Sequence, residues 1–339
     1  MRETGKKLKT AVIGCGRISV MHLGSIAMLK DAELVACCDI RKERADEAAK
    51  KYGCKAYADY EEMLDSEQLD AVHICLPHYL HSKVACAAFE RGVSVLSEKP
   101  MDVSLEAAEK AVSLAKEKGV LYGVIFQCRY NNSVKLVKEA LDSGRLGKIL
   151  SVRSILTWNR PESYYLESDW KGTWEKEGGG VIIDQAIHTI DLVNWLVDSP
   201  FKKVSCTLSR HGEKKLEVED TAEGLISFEN GVKYGFYCMN NYAVDEPIEI
   251  RMKCEKGDVI FGYDDAYITY KDGTAEEAHQ GDVVEYEGGK DYWGFQHVRQ
   301  IRQFYDACQG KEPLDISGEE ALKTHKLICE IYKIGRKFF

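Results

Sequence analysis

Thr10-Ala11-Val12-Ile13-Gly14-Cys15-Gly16-Arg17-Ile18-Ser19 is the stretch that decides the fold. An apolar, strand-like run breaks into two glycines one residue apart, and a helical pattern starts at Ser19. Such a turn lets backbone amides at a helix N-terminus approach a pyrophosphate. In the G-x-G-x-x-G fingerprint the third glycine serves close packing of helix on strand, and the small Ser19 takes that place here. Alone the pattern is weak, because G-x-G arises often by chance. Its setting strengthens it: a strand precedes, a helix follows, and the next strand ends at Asp39. A carboxylate there suits the ribose hydroxyls of an adenosine and repels a 2′-phosphate. NAD is therefore favoured over NADP, although Arg41, two residues on, softens the contrast. Gly14, Gly16, Arg17, Ile18 and Asp39 are the cofactor-binding candidates. The opposing reading is a tight glycine turn that holds nothing.

Outward from this turn, short apolar runs alternate with helical patterns. Strands are expected at Thr10–Ile13, Leu34–Cys38, Ala71–Cys75, Val93–Leu96 and Leu121–Phe126. Helices are expected at Ser19–Leu29, Lys42–Tyr52, Leu80–Arg91 and Leu105–Lys118. Apolar runs without alternation suit strands buried on both faces of a parallel sheet, and the βαβα order predicts a doubly wound α/β sheet. After Phe126 the rhythm changes. A helix (Ser133–Asp142), a strand (Ile149–Trp158), an aromatic loop and an apolar helix (Val181–Val197) precede a run of strands from Val204 to Tyr270. Glu229-Asn230-Gly231 marks a hairpin among them. Two helices, Gly294–Gln309 and Gly318–Lys333, close the chain. The fold class is thus α/β: an N-terminal Rossmann doubly wound parallel sheet (1–127), then an α+β domain with a large open, mostly antiparallel sheet (128–339). The C-terminal helices are expected to pack back on the first domain.

The composition removes several classes of function. The 339 residues carry a formal charge of −9 and lack the basic footprint of a nucleic-acid binder. No apolar run reaches the length of a membrane span. The polar lead Met1–Thr10 lacks the apolar stretch of a signal peptide, which points to the cytoplasm. The twelve cysteines form no C-x-x-C pair and mostly lie in apolar segments, as reduced core residues do.

Two further motifs carry polar residues where chemistry could use them. Leu96-Ser97-Glu98-Lys99-Pro100 follows the fifth strand, at the strand ends that face the ligand crevice of such sheets. A lysine there can stabilise charge developing on a substrate oxygen; the opposing reading is a surface lysine in a proline turn. Gly178-Gly179-Gly180 opens the apolar helix that holds Asp184, His188 and Asp191. Asp184 and His188 are four apart and share one helical face, and Asp191 continues it. A histidine beside a carboxylate equips a site for proton transfer near neutral pH. A hydrogen-bonded core histidine is the alternative. A metal reading of the pair lacks a third and a fourth ligand, and no metal is expected.

Together these motifs resemble the Gfo/Idh/MocA family of oxidoreductases. The resemblance runs through AVIGCGRIS, ACCDI, AVHICLPHYLHSKVACAAFERGVSVLSEKP, FQCRYNNSVKLVKEALDSGRLG and GGGVIIDQAIHTIDLVNWL. It implies that Lys99 and His188 flank the reacting hydroxyl, with His188 taking its proton and Asp184 orienting His188 or contacting the sugar. It implies that Pro77 and His81 line the cofactor side and that Glu98 lies near the nicotinamide ribose. Arg129, Tyr130 and Asn131 would sit at the pocket entrance, and the Lys99-Pro100 bond would be cis. His78 and Asn132 depart from the family pattern, which usually has asparagine and then proline at these places. Ser168-Asp169-Trp170-Lys171-Gly172-Thr173-Trp174 is similar to a subgroup pattern that has arginine in place of Lys171.

Trp158 and Trp170 could stack on a sugar face or pack in an interior, and Lys171 could meet an anionic group. Trp174 reads as packing. The function expected is hydride transfer between nicotinamide and a secondary alcohol or ketone of a sugar, sugar derivative or inositol. The alternatives are a glycosidase or lyase that oxidises its sugar transiently and a non-catalytic NAD-bound sensor. An open sheet needs covering, so a homodimer or homotetramer is expected.

Overall fold

The computed structural model describes residues 7–166, 168–212, 216–281, 296–337 and 339. Most of the polar lead, and the first two residues of the helix expected from Gly294, lie outside the described residues. The chain divides into two compact units, Met1–Gln127 with Val284–Leu322, and Cys128–Val283 with Lys323–Phe339.

The first unit runs β1 (Leu8–Ile13), α1 (Ser19–Met28), β2 (Ala32–Cys38), α2 (Lys42–Tyr52), β3 (Lys55–Tyr57) and α3 (Tyr60–Ser66). It continues with β4 (Ala71–Ile74), α4 (His81–Glu90), β5 (Ser94–Ser97), α5 (Leu105–Lys118) and β6 (Tyr122–Val124). The strands form one sheet in the order β3-β2-β1-β4-β5-β6, every neighbouring pair parallel. The order reverses between β1 and β4, and such switch points are where doubly wound sheets bind ligands. α5 keeps its expected limits because the sequence signals both ends. Ser104 Oγ accepts the Ala107 N–H at 3.3 Å, and Gly119 closes the helix in the left-handed conformation. Two elements were not expected. β3 is a three-residue edge strand. α3 is short, though Asp59 announces it by accepting the N–H groups of Glu61 and Glu62 at 2.8 and 3.0 Å.

The second unit opens with α6 (Asn132–Asp142), β7 (Ile149–Thr157) and α7 (Glu162–Leu166). A π-helical stretch, Ile182–Ala186, then leads directly into α8 (Ile187–Val197). β8 (Phe201–Ser209), β9 (Thr221–Phe228), β10 (Lys233–Met239), β11 (Glu249–Cys254), β12 (Gly257–Phe261), β13 (Ala266–Tyr270) and β14 (Ala275–Ala278) follow. With β7 they make an eight-stranded sheet, β14-β13-β12-β11-β7-β10-β9-β8. Its pairs are antiparallel except β7 with β10. Burial alternates along β10 and β11, as in a sheet with one packed and one open face. β14 was not expected, because Ala-Glu-Glu-Ala carries no apolar alternation.

α9 (His297–Cys308) belongs to the first unit. Its Ile301, Phe304 and Tyr305 share a core with Val12, Leu23, Ile26, Leu96 and Ile125. α10 (Gly318–Gly335) ends the chain. All twelve cysteines are free. No helix among the described residues is long and apolar enough to cross a membrane.

Candidate active site

The glycine turn is shaped by its neighbours. Gly14 lies at φ +94°, and a β-carbon there would stand 2.3 Å from the Cys75 carbonyl oxygen, so no other residue fits without moving β4. Gly16 faces open space, with nothing within 4 Å of a β-carbon. Its bare backbone is thus available to a phosphate at the start of α1. Ser19 is buried and donates from Oγ to the Gly16 carbonyl at 2.6 Å, which explains why a hydroxyl replaces the third glycine. Asp39 ties the turn to the next loop. Its Oδ2 accepts the Cys15 N–H and its Oδ1 the Arg41 N–H, both at 2.8 Å. Arg17 is exposed and Ile18 half-buried. This cradle fits a dinucleotide.

Glu98, expected near the nicotinamide ribose, has its carboxylate buried at 5% exposure. Oε1 accepts from His22 Nε2 at 2.9 Å and from His297 Nε2 at 3.2 Å. Burial alone would raise its pKa, but these two hydrogen bonds outweigh burial and hold it well below the usual carboxylate range. Burial lowers the pKa of His22 and drives that of His73 well down, so both rings are neutral. The tautomers follow. His22 donates through Nε2, so its Nδ1 accepts from His73 Nδ1 at 2.8 Å, and His73 Nε2 accepts from the Tyr305 hydroxyl at 2.8 Å. The ligating atoms of His22, Glu98 and His297 lie within 4.8 Å of one another, a spacing a metal could use. The two direct contacts are nevertheless of hydrogen-bond length, and each has its donor and acceptor.

His81, expected on the cofactor side, lies in the interior of the first unit. It is fully buried, with Nδ1 2.6 Å from the Pro100 carbonyl and Nε2 2.7 Å from that of Leu76. It thus braces the turn after β4 against the turn after β5, where Lys99-Pro100 is cis. Pro77 and Lys99 are both half-buried.

In the second unit, polar groups converge on Asp184. The Tyr164 hydroxyl and Gln185 Nε2 each donate to its Oδ2 at 2.5 Å, and Lys171 Nζ lies 3.6 Å from the same oxygen. Lys171 also sits 3.4 Å above the centre of the Tyr164 ring and 5.3 Å from that of Trp170. Burial, reinforced by the neighbouring Asp184 charge, pushes the Tyr164 phenol well above its ordinary range, so it keeps its proton and donates. Asn240 fixes the Gln185 amide from behind. Its Nδ2 donates to Gln185 Oε1 and to the Tyr165 hydroxyl, both at 2.8 Å. His188 follows on α8, 1% exposed.

Asp191, three residues after His188 on α8, binds Arg129 at 2.8 and 2.6 Å and accepts from Thr324 Oγ1 at 2.8 Å. Arg129 is correspondingly buried, 4.9 Å from the centre of the Trp195 ring. Asn131 donates to the Tyr263 carbonyl at 2.9 Å, and Tyr130 has Lys135 over its ring. Trp158 is packed: it is 4% exposed, its Nε1 donates to the Glu246 carbonyl at 3.1 Å, and Arg160 covers its ring. Trp174 meets Tyr332, Phe339 and Arg336, as a packing residue does.

The family model described as "Oxidoreductase family, NAD-binding Rossmann fold" matches residues 8–126, and that of the GFO/IDH/MocA C-terminal domain matches residues 134–260. The chain belongs to the Gfo/Idh/MocA oxidoreductase family. Residues 8–126 are the family's NAD-binding Rossmann domain. D-glucoside 3-dehydrogenase of Escherichia coli is 26% identical over 97% of this chain and 96% of its own. Myo-inositol 2-dehydrogenase of Thermotoga maritima is 29% identical, but the match spans 66% of either chain, just under two thirds. The WlbA dehydrogenase from Bordetella pertussis, solved in complex with NADH and UDP-GlcNAcA, is 28% identical with a TM-score of 0.85 over 98% of both chains. This Gfo/Idh/MocA member adds residues that sequence reasoning missed: His22, His73, His297 and Tyr305 in one unit, and Gln185 and Asn240 in the other. His73 carried a usable signal, since a histidine inside a strand buried on both faces requires partners.

Proposed function

We propose that the protein is a cytoplasmic NAD-dependent dehydrogenase acting on a secondary alcohol of a sugar, sugar derivative or inositol, or on the matching ketone. One observation carries this reading. Tyr164, Gln185 and Lys171 converge on a single oxygen of Asp184, in the turn that leads into His188. Polar groups held this tightly suit a substrate made of hydroxyls. Bound NAD supplies the hydride acceptor at nicotinamide C4. In this reading His188 takes the hydroxyl proton as the C–H electron pair departs. Lys99 stabilises the charge left on that oxygen. Asp184 orients the imidazole or the sugar, and Trp170 and Lys171 contact the substrate. The names of the glucoside and inositol dehydrogenases among the relatives support a polyol substrate and net oxidation. They favour it over transient oxidation with elimination, and over a sensor.

We infer a homo-oligomer as well. The open face of the large sheet exposes Leu225, Tyr237, Ile260 and Tyr267, apolar surface that a second copy would cover.

Lys99→Ala and His188→Ala test the assignment. Each is expected to lower kcat with NAD and an inositol or glucoside by roughly a hundredfold or more, while NAD still binds. Near-full turnover in both variants would end the assignment.

A further inference from the structure

The start of the π-helical stretch is capped in an unusual way. A helix begins with four N–H groups that have no partner within the helix. Here Gly180, Val181, Ile182 and Ile183 present those groups, and two residues take all four. Glu219 accepts the Gly180 N–H on Oε2 at 2.9 Å, the Ile182 N–H on Oε1 at 3.1 Å, and the Val181 N–H on its own carbonyl at 3.2 Å. The Tyr332 hydroxyl accepts the Ile183 N–H at 3.1 Å and donates to Glu219 Oε1 at 2.8 Å. All of this is buried; Glu219 is 0% exposed.

The fit leaves no slack. A β-carbon on Gly180 would stand 1.8 Å from the Glu219 carbonyl oxygen, and one on Gly179 2.0 Å from the Tyr332 hydroxyl. The glycine run is thus the imprint of Glu219 and Tyr332 on the chain. Asp184 is the next residue, and its N–H closes on the Gly180 carbonyl at 3.0 Å. A π-turn is a rare form of helix, found mostly as a single turn inside an α-helix, and it recurs at functional sites. The support here comes from β9's approach and from α10, both distant in sequence from the turn.

We propose that Glu219 and Tyr332 are positioning residues for the dehydrogenation, holding the π-turn so that Asp184 and His188 stay in working register. This rests on the function proposed above, and it assigns neither residue a contact with substrate or cofactor. A cap that only stabilises the fold would lower thermal stability and leave turnover by the folded enzyme unchanged. A cap that positions the site must alter kcat.

Tyr332→Phe and Glu219→Gln separate the two. Tyr332→Phe keeps the ring and removes one acceptor and one donor, so it folds even if Glu219→Gln does not. Two readouts on the full-length protein decide the matter. The first is hydrogen–deuterium exchange of the peptide spanning residues 178–186. The second is steady-state kinetics with NAD and an inositol or glucoside, at a temperature where the variants are folded. The expected result is faster exchange confined to that peptide, by about tenfold or more. It comes with a kcat lowered by roughly tenfold and a KM for NAD within about twofold of the parent. Unchanged exchange overturns the proposal, and so does faster exchange with unchanged kcat. If the parent enzyme oxidises no sugar or inositol, the proposed function falls, and with it the catalytic positioning role; the exchange data then still decide whether these two residues hold the turn.

Discussion

His22 and His73 meet nitrogen to nitrogen, Nδ1 to Nδ1, at 2.8 Å. Only one of the two rings can carry the bridging proton. Glu98 accepts a hydrogen bond from His22 Nε2–H, so the bridging proton sits on His73, and the Tyr305 hydroxyl donates to the nitrogen left over. The hydrogen bonds therefore all point one way, from Tyr305 to Glu98.

Breaking this series should show coupling. Tyr305→Phe strands one nitrogen of His73 and is expected to cost about 1–3 kcal/mol. His22→Phe strands the Nδ1–H of His73 and one donor's worth of Glu98, at a similar or larger cost. The double variant should lose less than the sum, because both changes act on one series of bonds. Urea unfolding of the three variants measures this, and strict additivity would contradict the ordered series.

Asp39 gives a second prediction. Both of its oxygens already accept backbone N–H groups, from Cys15 and Arg41. In Asp39→Asn one of those N–H groups would face an amide NH2. The glycine turn should loosen, and the Kd for NAD should rise by about tenfold, equivalent to ~1.4 kcal/mol. The preference for NAD over NADP should narrow, since the repelling charge is gone. Titration calorimetry with both dinucleotides checks this; unchanged affinities would show that the carboxylate does neither job.

Glu219 makes stability depend on pH. Burial is the largest influence and raises its carboxyl from 4.5 to about 7, although Tyr332 and the Gly180 and Ile182 amides pull the other way. The folded chain thus holds this proton more tightly than the unfolded chain does. The resulting stabilisation is complete below the unfolded value and is lost as pH rises through about 7. Glu177, raised by burial and by the Asp184 charge, contributes a slope of the same sign. The melting temperature should therefore fall between roughly pH 5.5 and pH 8 more steeply in the parent than in Glu219→Gln. Equal slopes would remove Glu219 from the account.

The first unit was largely legible in the sequence, because its strands are buried on both faces and its helices carry their own end signals, as Ser104 and Gly119 do. The open sheet was legible strand by strand, but the parallel pairing of β7 with β10 was not. Register between distant strands depends on packing that no local pattern records. The site was legible by residue type and much less by contact. Glu98 and His81 stand in the motifs that pointed to them, but those motifs do not name the partners of the buried side chains, His22 and His297 for one and the Leu76 and Pro100 carbonyls for the other. The spacing of Asp191 after His188 was legible, but nothing in that spacing names Arg129 as its partner. Glu219 and Tyr332 escaped notice because neither lies near Asp184 in the chain.

The anchoring of Asp184 is divided between two kinds of chain. Tyr164 lies on α7 and Lys171 in the loop after it, whereas Gln185 lies on the helical stretch itself and is locked by Asn240 just past β10. Loop libraries that rewrite residues 166–176 could therefore retune which molecules are accepted while the carboxylate keeps a fixed tether to the scaffold. That division makes this loop a natural place to begin redesigning selectivity, and it marks Gln185 and Asn240 as positions any such library should leave alone.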